Sequence, residues 1–308
     1  MTGIREAIDD YLAVRRALGY KLEDHGWLLA GFASFMQAAG AAAVTTGVAL
    51  AWAALPQDAL PSWHAARLRV VRGFARHLQA LDPATEVPAA GLLASRNRRA
   101  VPYLYSDGEI SALMAATASL RPALHAATHK TLIGLLAVTG MRLGEAIRLD
   151  RAGLNPASGI LTIRDSKSAT SRQVPLHPGT LAALADYGQF RDRHCRCPGT
   201  PALLVPTAGT RLISQGIHCV FARLARHAGL HPRSQQCHPR LHNFRHSLAV
   251  STLPGWYRDG VDVQARLLVL SAFLGHSKPA STYWYLPAVP ELLALAAERR
   301  ETGLGGRS

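Results

Sequence analysis

The sequence predicts a mainly α protein with one small β-hairpin, divided into a helical N-terminal domain and a larger mixed α/β C-terminal domain. Three observations lead there. Apolar residues recur at helical spacing in runs that stop at Gly19, Gly40 and Gly140. A single stretch, Gly159-Ile-Leu-Thr-Ile-Arg164, alternates as a strand does, and Arg172-Gln-Val-Pro-Leu176 reads as its hairpin partner. Between the two halves lies a segment rich in Pro, Gly and Arg, and 308 residues suffice for two ordinary domains.

Residues 1–82 are expected to form the helical domain. Ile4 to Leu18 suits a first helix stopped by Gly19, and Leu22 to Ala39 a second ending at Gly40. Gly47 to Ala54 gives a short third, and Pro61 opens a fourth reaching Leu81. No Lys, Arg, Asp or Glu occurs from His25 to Gln57. Gly40, Thr45, Thr46 and Gly47 interrupt that stretch, so two short buried helices fit it better than a membrane span. Residues 83–102 read as a basic linker containing Pro83, Pro88, Gly91 and Pro102.

The second domain is expected over residues 103–308. Ser106 and Glu109 form a capping-box pattern that opens a helix. A helix from Pro122 to Val138 is closed by Gly140, another starts at Arg142, and the hairpin follows. Further helices are expected at Pro178–Tyr187, Ser214–Ala228, His242–Leu253 and Val263–Leu274. An amphipathic helix, Pro290 to Glu301, precedes a Gly-rich tail.

Charge narrows the partners. Lys+Arg number 34 against 20 Asp+Glu, a formal net charge of +14 with a pI near 10.4. That balance favours a polyanion, nucleic acid or an acidic membrane surface, over a neutral metabolite. The opening MTGIREAIDDYL carries acids where a secretory leader carries bases, and four cysteines are too few for a disulfide scaffold. A cytoplasmic, nucleoid-associated protein is therefore expected. His194-Cys195-x-Cys197 and Cys237-His238 lack the usual C-x-x-C reach, so free thiols are expected and no metal site.

The residues that carry chemistry lie in the C-terminal half: Arg142, Lys167, His242, Arg245, His276 and Tyr285. A phosphodiester in its transition state concentrates negative charge and needs several positive donors around it. Two arginines, a lysine and two histidines supply them, and a tyrosine hydroxyl can be the nucleophile. Arg142 sits at a helix start, a natural anion site, with Glu145 one turn on to brace it. Lys167 occupies the hairpin turn. His242-x-x-Arg245 places two donors on one helix face, and His276 follows a glycine-capped helix end. Tyr283 and Tyr285 compete for the nucleophile and point to opposite sides if helical. Arg148, His246 and a second H-x-x-R, His64 to Arg67, read as incidental. DNA-backbone contacts are expected from Arg67, Arg69, Arg72 and Arg76 on the fourth helix, from Arg96, Arg98 and Arg99 in the linker, and from Arg172 in the hairpin.

On these residues the chain resembles the tyrosine recombinase family, which includes phage integrases. Gly140, Arg142 and Glu145 match its TG-x-R-x-x-E, Lys167 its hairpin lysine, His242 and Arg245 its H-x-x-R, and His276 its LGH motif. Counting from that histidine places the nucleophile at Tyr285 rather than Tyr283. Tyr11-Leu to Leu18-Gly-Tyr with Phe32-Ala-Ser-Phe35 looks like the family's core-binding domain, and STYWYLPAVPELL looks like the transposon-borne branch. DSKSATSR departs from the glycine many members place beside the lysine. The resemblance implies a catalytic domain of tyrosine-recombinase type acting on double-stranded DNA through a 3′-phosphotyrosine. Neither ATP nor a metal cofactor is implied, and exchange would use a homotetramer on paired sites or companion recombinases. The alternatives are a type IB-like topoisomerase, a DNA-binding protein without catalysis and, less favoured, a zinc-dependent nuclease.

Overall fold

The computed structural model describes residues 3–20, 22–94, 101–164, 171–196, 198–259 and 261–275. The chain forms two compact units, Met1–Arg99 and Ala100–Ser308. The first holds α1 (Ile4–Ala17), α2 (Glu23–Ala38), α3 (Thr46–Ala54) and α4 (Pro61–Leu78). Their apolar stripes close around Leu29, Phe32, Trp52, Val71 and Phe74, all buried. Phe32 meets Trp52 edge-on at 5.3 Å. Each such side chain contributes roughly 1.5–3 kcal/mol by leaving water. The uncharged stretch 25–57 supplies most of α2 and all of α3, and no helix among the described residues is long and apolar enough to cross a membrane.

The segment expected as a linker is partly built into this unit. Thr85 is buried, and Val87 and Leu93 pack on the core. Glu86 donates its backbone N–H to the Val44 carbonyl at 2.8 Å and accepts the Thr46 N–H on Oε2 at 2.8 Å. The latter satisfies an orphan amide in the first turn of α3, beside the Thr45 cap. Apolar anchors and a helix cap hold a strap where proline and glycine content alone reads as a loose connection.

The second unit holds α5 (Asp107–Ala116), α6 (Ala123–Thr139), α7 (Leu143–Arg148), β1 (Leu154–Asn155), β2 (Ile160–Ile163), β3 (Arg172–Pro175), α8 (Pro178–His194), α9 (Ser214–His227), α10 (Asn243–Arg258) and α11 (Val263–Leu274). α6 runs through the middle, packed by α5, α8 and α10. The capping box at Ser106 and Glu109 forms as expected, with reciprocal bonds of 3.2 and 2.8 Å. The strands make an antiparallel sheet in the order β1-β2-β3, Ile163 opposite Arg172 and Leu161 opposite Val174. The two-residue β1 was not expected from the sequence.

Two helices outrun their expected ends. α8 continues past Gly188 because Arg191 in its last turn is fully buried, donating from NH1 to the carbonyls of Ala202 and Leu203 at 3.1 and 2.9 Å. Those tertiary bonds outweigh a glycine cost of about 1 kcal/mol. α10 passes through Pro254, held by buried Leu253 and by packing against α11. The expected helix Pro290 to Glu301 lies outside the described residues.

Candidate active site

The site is built where α6 ends. Gly140 closes that helix with φ +57°, a left-handed conformation that favours glycine. A Cβ there would fall 2.8 Å from Leu274 Cδ2 and 3.0 Å from Leu248 Cδ2, so the missing side chain also lets α10 and α11 close on the turn. The Gly140 carbonyl, at the negative end of α6, accepts Arg245 NH1 at 2.9 Å. Arg245 is 2% exposed, a guanidinium placed inside the protein by the first turn of α10.

Arg142, two residues on, caps the start of α7. Its backbone N–H donates to Glu145 Oε2 at 2.9 Å, its NH1 to Oε1 at 2.9 Å, and its NH2 to the Gly275 carbonyl at 3.0 Å. Glu145 is buried and receives a second arginine. Arg172 donates NH1 to Oε1 at 3.1 Å and NH2 to Oε2 at 2.8 Å, while its Nε reaches the Phe273 carbonyl at 2.9 Å. Burial alone would raise the Glu145 pKa, but the donors of Arg172 and Arg142 outweigh it and hold the carboxyl at about 2.

His242 lies immediately before α10, open to solvent on one side. Partial burial lowers its pKa below the usual imidazole range, and the charges of Arg245 and Arg142 add to the effect. Its ring meets that of His246 nearly perpendicularly, centroids 4.9 Å apart. His246 is pushed down to about 4, first by burial and then by His242 and Arg245. The approach to α10 is pinned from the unit's first residues. Tyr105 donates its backbone N–H to Ser247 Oγ at 2.7 Å and its hydroxyl to the Arg240 carbonyl at 3.1 Å, and its ring stacks on Phe244 at 4.5 Å.

Of the residues singled out from sequence, the fold gathers Arg142, Glu145, His242 and Arg245. Lys167, His276, Tyr285 and the competing Tyr283 lie outside the described residues. The described chain resumes at Ser171, four residues after Lys167 in sequence, and its last described residue, Gly275, directly precedes His276.

Two expected DNA contacts are corrected. Arg172 commits Nε to the Phe273 carbonyl and both NH1 and NH2 to Glu145, so its guanidinium serves an internal carboxylate rather than a backbone phosphate. Arg67 is 8% exposed, donates NH2 to the Trp52 carbonyl at 2.7 Å and lies 3.8 Å over the Trp52 ring. It shares the inward stripe of α4 with Val71 and Phe74. Arg69 and Arg76 are exposed and Arg72 partly so, while Arg96, Arg98 and Arg99 lie outside the described residues. His64, partner of Arg67 in the second H-x-x-R, contacts the Pro56 carbonyl through Nε2 at 2.7 Å. Both members of that copy serve the fold. Cys195, Cys219 and Cys237 are free thiols, and Cys197 lies outside the described residues.

Sequence reasoning missed the second partner of Glu145. The signal was available in strand periodicity: Arg172 and Val174 share a face of β3, and Val174 is fully buried. It also set His246 aside, although a spacing of four residues places it beside His242 on a helix.

The sequence and the fold also match those of known proteins. Residues 104–290 match the phage integrase family. The chain is 42% identical, over 98% of both chains, to a Sinorhizobium fredii protein designated integrase/recombinase y4rB. It is 27% identical to the tyrosine recombinase XerC of Alcanivorax borkumensis, over 71% of this chain and 66% of that one. Among solved structures, the Tn1549 transposon integrase in complex with transposon right-end DNA has the same fold. Its TM-score is 0.68 at 14% identity, covering 97% of this chain and 99% of that one. A helical protein that holds two arginines around the end of one helix, that matches the family over residues 104–290 and that matches an integrase/recombinase over almost its whole length, belongs to the phage integrase family of tyrosine recombinases.

Proposed function

We propose that this recombinase cuts and rejoins double-stranded DNA at specific sites through a covalent 3′-phosphotyrosine on Tyr285. The observation that carries the reading is that the end of α6 brings two arginines together, Arg245 on the Gly140 carbonyl and Arg142 two residues beyond it, with His242 three residues before Arg245 at the start of α10. Two guanidinium groups suit the non-bridging oxygens of a scissile phosphate, and their positions are set before DNA arrives. The Tyr285 oxygen attacks phosphorus as the bond to the 5′-oxygen breaks. A phenol ionises near pH 10, so a base must take its proton at neutral pH. His242, kept neutral by partial burial and by both arginines, suits that role. Lys167 returns a proton to the departing 5′-oxygen, and His276 adds a hydrogen bond to the phosphate. The phosphotyrosine conserves the bond energy, so a 5′-hydroxyl from a partner strand reverses the chemistry and completes exchange.

Four protomers on two sites are the assembly this exchange needs. The y4rB relative and the transposon-integrase fold favour a role in moving a mobile element. The exposed Arg69 and Arg76 on α4 are first-unit cations that can reach backbone phosphate. The test is a nicked suicide substrate carrying DNA from the ends of the protein's own element, without added metal. Cleavage traps the protein on DNA, and mass spectrometry maps the attached residue. An adduct at Tyr285 is expected. An adduct that joins strands of one site only, with no exchange between two, would favour topoisomerase-like relaxation. Binding without any adduct would leave a DNA-binding protein lacking catalysis.

A further inference from the structure

We propose that Arg172 is a positioning residue for strand cleavage: it saturates Glu145 from the far side, so that the carboxylate aligns the Arg142 guanidinium instead of capturing it. The inference rests on the strand-cleavage reading above. Its first support is the way Glu145, 2% exposed, divides its oxygens. Oε1 takes Arg142 NH1 at 2.9 Å and Arg172 NH1 at 3.1 Å, and Oε2 takes the Arg142 backbone N–H at 2.9 Å and Arg172 NH2 at 2.8 Å. Both arginines are also anchored on the same helix end, Arg172 Nε on the Phe273 carbonyl and Arg142 NH2 on that of Gly275. Gly275 is shaped for this arrangement. A Cβ on it would fall 2.6 Å from Arg172 NH1 and 2.9 Å from Cζ, so the guanidinium fits only because the side chain is absent.

A buried carboxylate with one arginine partner favours fork-to-fork pairing. Were Arg172 missing, Glu145 would draw both NH1 and NH2 of Arg142 to itself and pull the fork off the Gly275 carbonyl. With Arg172 in place, Arg142 spends one nitrogen on Glu145 and one on Gly275, and its side chain keeps 27% of its surface open. That open edge is what a phosphate oxygen can reach. Arg172 therefore acts through Glu145 on Arg142 and touches no DNA. It also ties β3, α7 and the end of α11 together at one carboxylate.

The experiment uses the full chain and the suicide substrate, measuring DNA affinity and the cleavage rate at saturating DNA for wild type, Arg172→Gln, Arg172→Lys, Arg142→Ala and the Arg142→Ala/Arg172→Gln pair. Arg172→Gln should cut about 10- to 100-fold more slowly with affinity unchanged, the usual size for a residue that orients a reacting one. Lysine keeps the charge but loses the fork, so Arg172→Lys should fall between. In the Arg142→Ala background, Arg172→Gln should add no further loss, since the residue it positions is gone. A fully additive loss there, or a loss explained by weaker DNA binding, would overturn the inference. So would an Arg172→Gln protein that cuts at the wild-type rate. If Arg172→Gln fails to fold, Arg172→Lys carries the comparison, with an unchanged rate as the refuting result. No adduct from wild type would overturn the strand-cleavage reading itself, and the inference with it.

Discussion

Gly140→Ala tests how tightly the end of α6 is packed. Two effects act at this position. Alanine at φ +57° bears a left-handed penalty of about 1–2 kcal/mol, offset by up to about 1 kcal/mol because alanine stiffens the unfolded chain. Its Cβ would also meet Leu274 Cδ2 at 2.8 Å and Leu248 Cδ2 at 3.0 Å, with Arg245 Cα behind at 3.6 Å. Crowding of that kind in a packed core costs about 1–3 kcal/mol. Gly229 supplies the control: its φ is +71°, and a Cβ there meets nothing within 4 Å. Gly229→Ala should therefore destabilise by about 2 kcal/mol or less, and Gly140→Ala by about 1–3 kcal/mol more. Native-state hydrogen exchange of α6 amides in rising urea reads both values on the second unit alone. Equal losses for the two variants would refute the packing argument, since only the backbone term is common to them.

The remaining expectations concern chemistry and charge. Tyr285→Phe should abolish the covalent adduct with DNA binding intact, and Tyr283→Phe should retain it; gels of trapped complexes decide. Exchanging Arg69 and Arg76 for Gln should flatten the salt dependence of DNA binding by up to about 0.9 in log–log slope for each phosphate no longer neutralised. Arg67→Ala should leave that slope alone and instead cost the first unit about 1.5–3 kcal/mol, the worth of a buried charged hydrogen bond. Cleavage that depends on neutral His242 should hold its rate down to pH 6.5 and fall only below it, because burial and two arginines depress that pKa. An acid limb centred above pH 6.5 would remove His242 as the base. Glu145, lowered from 4.5 to about 2, contributes stability that is present above pH 4.5 and lost as pH falls toward 2. The depression corresponds to about 3 kcal/mol, and an acid-unfolding curve for Glu145→Gln should lack that share of the loss.

Much of the fold was legible because its signals are local. Helix ends at Gly140 and Gly275, the capping box at Ser106 and the alternation of β2 each need only a few neighbouring residues. What the sequence left open depended on tertiary partners. Arg191 carries α8 past Gly188 by finding carbonyls at 202 and 203, which no local pattern announces. Residues 85–93 resemble a linker by composition, yet Val87 and Leu93 had an apolar surface to cover and Glu86 a helix start to cap. Arg67 and Arg172 were read by residue type, as cations for phosphate. Periodicity places both on inward faces, beside Val71 and Phe74 on α4 and beside Val174 on β3. For an arginine among apolar residues, the face it occupies outweighs its charge in deciding what it touches.

The electrostatics of the site explain why these inward arginines matter. Arg142 and Arg172 crowd two positive charges around one carboxylate, and Arg245 adds a third at the end of α6, an arrangement that would repel itself without compensation. The compensation comes from helix ends. The Gly140 carbonyl terminates α6, and those of Phe273 and Gly275 terminate α11, so each arginine bonds an oxygen at the negative pole of a helix. Those partial charges stabilise the guanidinium groups without neutralising them, and Glu145 cancels only one full charge. A net positive site therefore remains, its donors already oriented by bonds to backbone. Such a site gains most from a ligand whose charge grows during reaction, because the donors need not reorganise as it develops. A scissile phosphate passing to its transition state is a ligand of that kind, and the same geometry accounts for why Arg172, which never meets it, should still set the rate.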